Sequence, residues 1–126
     1  MTPHFIQTIP VLRIFDVAKA REFYVDFLGM GWDWEHRFDA TAPLFAQVSR
    51  GGLLLFLSEH FGDGTPGTKL MLRMTGLDDL HAELIAKDYR HVRPGIVEQP
   101  WGWRDMEVAD PFGNRLVFTE AKEGAA

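Results

Sequence analysis

Four tryptophans in this chain fall in two pairs spaced by two, Trp32 with Trp34 and Trp101 with Trp103, and acids sit among or beside them: Asp33, Glu35, Glu98 and Asp105. Indole rings stack on planar heteroaromatic and cationic groups, and carboxylates attract positive charge. A spacing of two puts both members of a pair on one side of an extended segment. Trp32 and Trp34 are therefore expected to share one strand face, and Trp101 and Trp103 another if their loop is extended. The chemistry implied is recognition of a flat, positively charged ligand. Core packing competes with it: Trp32 or Trp34 could instead close the core under a helix.

Other chemistries find little material. The histidines are His4, His36, His60, His81 and His91, and no two are spaced i, i+4 around a carboxylate as a helical metal site requires. The chain has no cysteine, which removes thiolate ligands and disulfides and fits a reducing cytoplasm. The glycine-rich run Gly62–Gly67 lacks both the Lys-Ser/Thr ending and the following helix of a phosphate loop. The serines, Ser49 and Ser58, lie in no nucleophile-elbow context.

The 126 residues carry 13 basic and 18 acidic side chains, a formal net charge of −5. That balance disfavours a nucleic-acid partner and favours a cation. No apolar run approaches the roughly 20 residues of a membrane span, and the start of the chain shows no basic region followed by an apolar stretch. With 46% apolar and 25% charged residues, the composition is that of a globular domain.

These residues need elements to hold them. Ile6–Phe15 reads as a strand interrupted at Pro10. Asp16 is a natural N-cap, Val17, Ala20, Phe23, Tyr24, Phe27 and Leu28 recur at helical spacing, and Gly29 suits the residue after the helix. Gly31–Phe38 alternates as a strand, and Leu44–Val48 and Leu53–Leu57 form a hairpin about Ser49-Arg50-Gly51-Gly52. His60–Thr68 is linker-like. Strand Leu70–Thr75, a helix marked by Leu77, Leu80, His81 and Leu84, and strand Tyr89–Val92 follow. Gln99–Trp103 is a breaker-rich loop, and strand Asp105–Ala109 turns through Asp110-Pro111-Phe112-Gly113-Asn114 into Leu116–Phe118.

The second half repeats the first. Shifted by 60, Leu12-Arg13 falls on Leu72-Arg73; shifted by 61, Gly52, Leu55 and Glu59 fall on Gly113, Leu116 and Glu120. Each half has the order strand, helix and three strands. The expected fold is α+β: one domain over residues 1–126, with module one at about 6–60, a linker at 61–68 and module two at about 69–120, each a βαβββ unit curling an antiparallel sheet.

From about Ile9 to Glu120 the sequence resembles the vicinal oxygen chelate superfamily, which joins glyoxalase I, extradiol dioxygenases, and the fosfomycin and bleomycin resistance proteins. Pro10-Val11-Leu12, Asp16-Val17, Glu22-Phe23-Tyr24 and Leu28-Gly29-Met30 look like its first module. Gly76-Leu77-Asp78-Asp79-Leu80, Glu98-Gln99-Pro100-Trp101-Gly102 and Asp110-Pro111-Phe112-Gly113-Asn114 look like the bleomycin resistance branch. The enzymes of the superfamily hold a divalent metal with His and Glu at four repeat-related positions, which here are Ile9, Phe56, Lys69 and Val117. None offers an imidazole or carboxylate, so no metal, cofactor or catalytic residue is expected. The resemblance also puts Asp33 and Trp34 where the drug-binding members carry a cleft acid and aromatic, and Trp101 on their cleft tryptophan. Trp32, Trp103, Phe38 and Phe45 are further candidates. Strict alternation would point Asp33 and Trp34 to opposite faces, so a bulge or a subunit boundary is needed for both to meet one ligand.

The function these readings imply is non-catalytic sequestration of a bleomycin-type antibiotic in crevices between the subunits of a cytoplasmic homodimer. A metal-dependent glyoxalase-like or dioxygenase-like enzyme is the first alternative. A binding module for another aromatic metabolite is the second.

Overall fold

Asp16 has extended backbone and its carboxylate accepts the Lys19 N–H at 2.9 Å, capping the first helix where the sequence expects it. In the computed structural model, which describes residues 1–122, the chain runs β1 (Val11–Arg13), α1 (Val17–Arg21) and β2 (Gly31–His36), then β3 (Phe45–Arg50), β4 (Leu53–Ser58) and β5 (Lys69–Arg73). It continues through α2 (Leu77–Ala86), β6 (Ile96–Glu98), β7 (Trp103–Ala109) and β8 (Arg115–Ala121). Beyond Arg21 the first helix widens to a π-helix over Glu22–Phe27, and there Phe23, Tyr24 and Phe27 are all buried, Phe23 meeting Tyr24 edge-on at 4.9 Å. Gly29, at φ 69°, ends the turn and donates to the Val25 carbonyl at 3.0 Å.

The chain divides after Thr65 into two units, each with one four-stranded sheet. The first sheet has the order β1-β4-β3-β2 and the second β5-β8-β7-β6. Neither sheet is purely antiparallel: β1 runs parallel to β4, and β5 parallel to β8. The connectivity requires it. The helix returns the chain so that the second strand of each module runs like the first, and two reversals bring the fourth back to that direction. Val11 lies opposite Phe56 and Met71 opposite Val117, so the offsets of 60 and 61 seen in the sequence reappear in the register.

Within the first unit, Ala46 and Val48 of β3 and Leu55 and Leu57 of β4 lie buried with Ala20, Phe23 and Phe27. In the second, Met106, Val108, Leu116 and Phe118 share the face that carries α2, since Arg104 on that face binds Asp78 with contacts of 2.7 and 3.0 Å. The Gly51-Gly52 turn has both φ angles positive, as a two-residue hairpin demands. The Asp110–Asn114 turn is tied by the Asp110 carboxylate, which accepts from the Phe112 and Asn114 N–H groups at 2.9 and 2.8 Å.

Two expected strands differ. The first is three residues long rather than ten, because Pro10 has no N–H to give a ladder; residues 1–8 are exposed and in no strand. Tyr89–Val92 is a turn, not a strand. Asp88 takes a left-handed φ of 50°, the Val92 N–H returns to Tyr89 O at 3.3 Å, and the strand forms only after Pro94 and Gly95, as β6. Tyr89 and Val92 are three apart, a spacing that fits no period of two.

Candidate functional site

The site begins with one extra residue. Trp32 lies opposite Val48, but Trp34 lies opposite Gln47, so Asp33 is a bulge in β2. A bulge sets two residues against one and brings both side chains to one side. Asp33 and Trp34 therefore meet on the open face of the sheet, across from the first helix, and Gln47 lies opposite them. The Asp33 carboxylate accepts from Gln47 Nε2 at 2.9 Å. Gly31 lies on the same side, where a Cβ would stand 3.4 Å from Asp33 Oδ1, about van der Waals contact. Hydrogen bonds from Gln47, then from Ser49, hold this carboxyl below the ordinary carboxylate range, against a smaller upward pull from partial desolvation.

Beside the acid lies a floor of rings. Trp34 stacks on Phe45 with centroids 6.0 Å apart and planes 22° apart, and meets Phe56 at 5.6 Å; Phe45 and Phe56 are 5.0 Å apart. Phe38, 80% exposed, sits edge-on to His36 at 4.8 Å and to His60 at 6.1 Å. Trp34, His36, Phe38, Phe45, His60 and Asp63 enclose an open depression of about 420 Å³. Asp63 is engaged at its base, accepting from Ser58 Oγ at 2.9 Å. Arg37 braces the rim by donating to the Ala42 carbonyl at 2.7 Å.

Trp32 is not part of this surface. The bulge sends it to the helix side, where the Arg21 guanidinium lies 4.1 Å from its ring centre and its Nε1 donates to Glu35 at 3.2 Å. Arg21 also pairs with Glu35 at 3.0 Å. Trp32 thus fastens the first helix to the edge strand, and the expectation that it shares a face with Trp34 fails because the period of two is broken at Asp33.

In the second unit the loop before β7 is a tight turn rather than an extended lead-in. Gly102, at φ 90°, donates to Gln99 O at 3.1 Å, and Gln99 N–H donates to Trp103 O at 2.7 Å. Trp101 and Trp103 are thereby separated. Trp101 stands at the turn, 65% exposed. Trp103 begins β7 with the Arg73 guanidinium 4.1 Å from its ring. Asp105, on the same strand face as Trp103, accepts from Gln99 Nε2 at 3.2 Å.

Of the superfamily's metal positions, Ile9 precedes β1, Phe56 belongs to the aromatic floor, Lys69 opens β5 and Val117 lies in β8. These side chains do not fit a divalent cation. Among the described residues, no group of three or more His, Cys, Asp or Glu side chains is placed to hold one. Among the described residues, no helix is long and apolar enough to cross a membrane. Sequence reasoning did not assign Gln47, His36 and His60 to the site. Phe56 was within reach, as the ring in a ligand position; Gln47 required the strand register.

The chain matches the family described as glyoxalase superfamily protein over residues 2–125. It is similar to the bleomycin resistance proteins of Geobacillus stearothermophilus and Staphylococcus aureus, 26% identical in each case, with 90% of this chain and 95% of theirs covered. Among solved structures it resembles the bleomycin-binding protein of the bleomycin producer Streptomyces verticillus, in complex with copper(II)-bleomycin. That match has 32% identity and a TM-score of 0.66, covering 96% of this chain and 100% of the other. The bleomycin resistance determinant of transposon Tn5 shares the fold, with a TM-score of 0.71 at 22% identity over 93% and 98% of the two chains. The matched span, the paired modules and the Asp-Pro-Phe-Gly-Asn turn agree: this chain is a member of the glyoxalase superfamily.

Proposed function

We propose that this protein binds a planar, cationic antibiotic of the bleomycin type and holds it unaltered, conferring resistance by sequestration. The observation that carries the reading is the Asp33 bulge, which sets an ionised carboxylate beside Trp34 on an open floor of Phe45 and Phe56. A flat heteroaromatic system can stack on that floor while its positive charge meets Asp33. Phe38 extends the wall, and Trp101 offers a second exposed indole. The names of the relatives and the net charge of −5 support the same ligand class. The working form in this reading is a cytoplasmic homodimer with its crevices between subunits. Met71 and Val97, 54% and 57% exposed in the single chain, are the kind of apolar surface a second copy covers.

The test is a calorimetric titration with metal-free and copper-loaded bleomycin, followed by recovery of the drug. Saturable binding with the drug returned intact is the expected result. A chemically modified product would replace sequestration with catalysis. Binding of a different planar cation in preference to bleomycin would keep the site and change its ligand.

A further inference from the structure

Gln47 is half-buried in the middle of a central strand, with Trp34 across one side of it and Phe56 across the other. An amide in an aromatic floor is unfavourable unless its polar atoms are partnered, and an apolar side chain would pack there at no such cost. Its Nε2 donates to Asp33, the one residue of β2 that stands outside the ladder register. Deepening the reading given under Proposed function and resting on it, we infer that Gln47 is a positioning residue that sets the ligand's charge preference. It fixes the Asp33 carboxylate beside Trp34, so that the floor selects a planar aromatic cation over a neutral ring of the same shape.

The bulge alone brings the acid to the open face; it does not aim it. An exposed aspartate without a donor turns freely and is solvated in many orientations. Two side chains donate to this carboxylate, Gln47 and Ser49, and the strand-anchored amide has the larger effect. Losing it leaves the acid tethered by one donor. The bond from Gln47 favours the ionised form, as does the one from Ser49. Two effects of losing Gln47 are then separable: weaker attraction of a cation, and a carboxyl that takes up its proton at higher pH.

The experiment compares N-methylacridinium, a permanent planar cation, with acridone, a neutral ring system of similar shape, on the full chain. Gln47→Met keeps the volume and removes the donor. The expected result is an affinity for N-methylacridinium lowered about 5- to 10-fold, with acridone unchanged. The low-pH edge of cation binding should also move to higher pH in the variant. In an Asp33→Asn background, which keeps the fold, Gln47→Met should produce no further loss. Equal weakening of both probes would reduce Gln47 to a packing role and overturn the inference. So would unchanged cation affinity in Gln47→Met, or the same loss with and without Asp33; in either case the binding reading would stand. Failure of wild-type protein to bind both probes and bleomycin would sink the binding reading and this inference with it.

Discussion

Trp32 and Trp34 are two residues apart yet face opposite sides of β2, and single substitutions should separate their contributions. Trp34→Ala removes a stacking platform that typically contributes ~1–3 kcal/mol to a bound ring, so affinity for a planar cation should fall about 5- to 150-fold with the fold retained. Calorimetry beside thermal unfolding reads both quantities. Trp101→Ala should also cut affinity, since an indole 65% exposed between Pro100 and Gly102 is held for something outside its own unit's core. Trp32→Ala should do the reverse: it loses the Arg21 contact and about 1 kcal/mol of stability, while binding stays within twofold. If Trp32→Ala abolished binding and Trp34→Ala did not, the assignment of faces would be wrong.

At the level of elements, β2 depends on a residue that the sheet does not need. Deleting Asp33 leaves Trp32 opposite Val48 and Trp34 opposite Gln47 in a regular ladder. The shortened protein should therefore fold with nearly unchanged stability, yet lose its preference for cations over neutral rings. A variant that fails to fold would show that the bulge is structural. The first helix behaves otherwise, because Phe23 is fully buried: Phe23→Ala should cost about 3–5 kcal/mol in denaturant unfolding.

The elements also show what could be read from sequence. The start of the first helix, the Gly51-Gly52 turn and the Asp110–Asn114 turn were legible because each rests on local chemistry: a cap, a positive φ, an Asx bond. The parallel pairing of β1 with β4 was not, since nothing local in either strand specifies its partner. The need for a bulge at Asp33 could be stated from alternation, but whether one exists depends on how β3 pairs. Gln47 was invisible for the same reason. Its role arises from a residue 14 positions away.

At the scale of the whole molecule, the open aromatic faces and the net charge of −5 make two expectations. Sedimentation at micromolar concentration should give roughly twice 14.4 kDa, for a two-fold dimer. A monomer that nonetheless binds the drug would relocate the crevice to a single chain. Raising ionic strength from about 0.05 to 0.5 M should weaken capture of a cation, mainly by slowing association, because screening shortens the reach of the negative field to a few ångströms.

The four indoles also divide the protein's own light. Trp32 and Trp103 each lie under a guanidinium at 4.1 Å and are half-buried, whereas Trp34 and Trp101 stand exposed. Emission is thus split between two shielded reporters and two open ones, and a neutral collisional quencher such as acrylamide should reach only the open pair efficiently. A ligand stacked on Trp34 should darken that indole and leave the shielded pair shining, so that a fluorescence titration levels off well short of extinction. Adding quencher to the saturated complex should then remove what open emission is left, and the residual signal is the spectrum of the two clamped tryptophans alone.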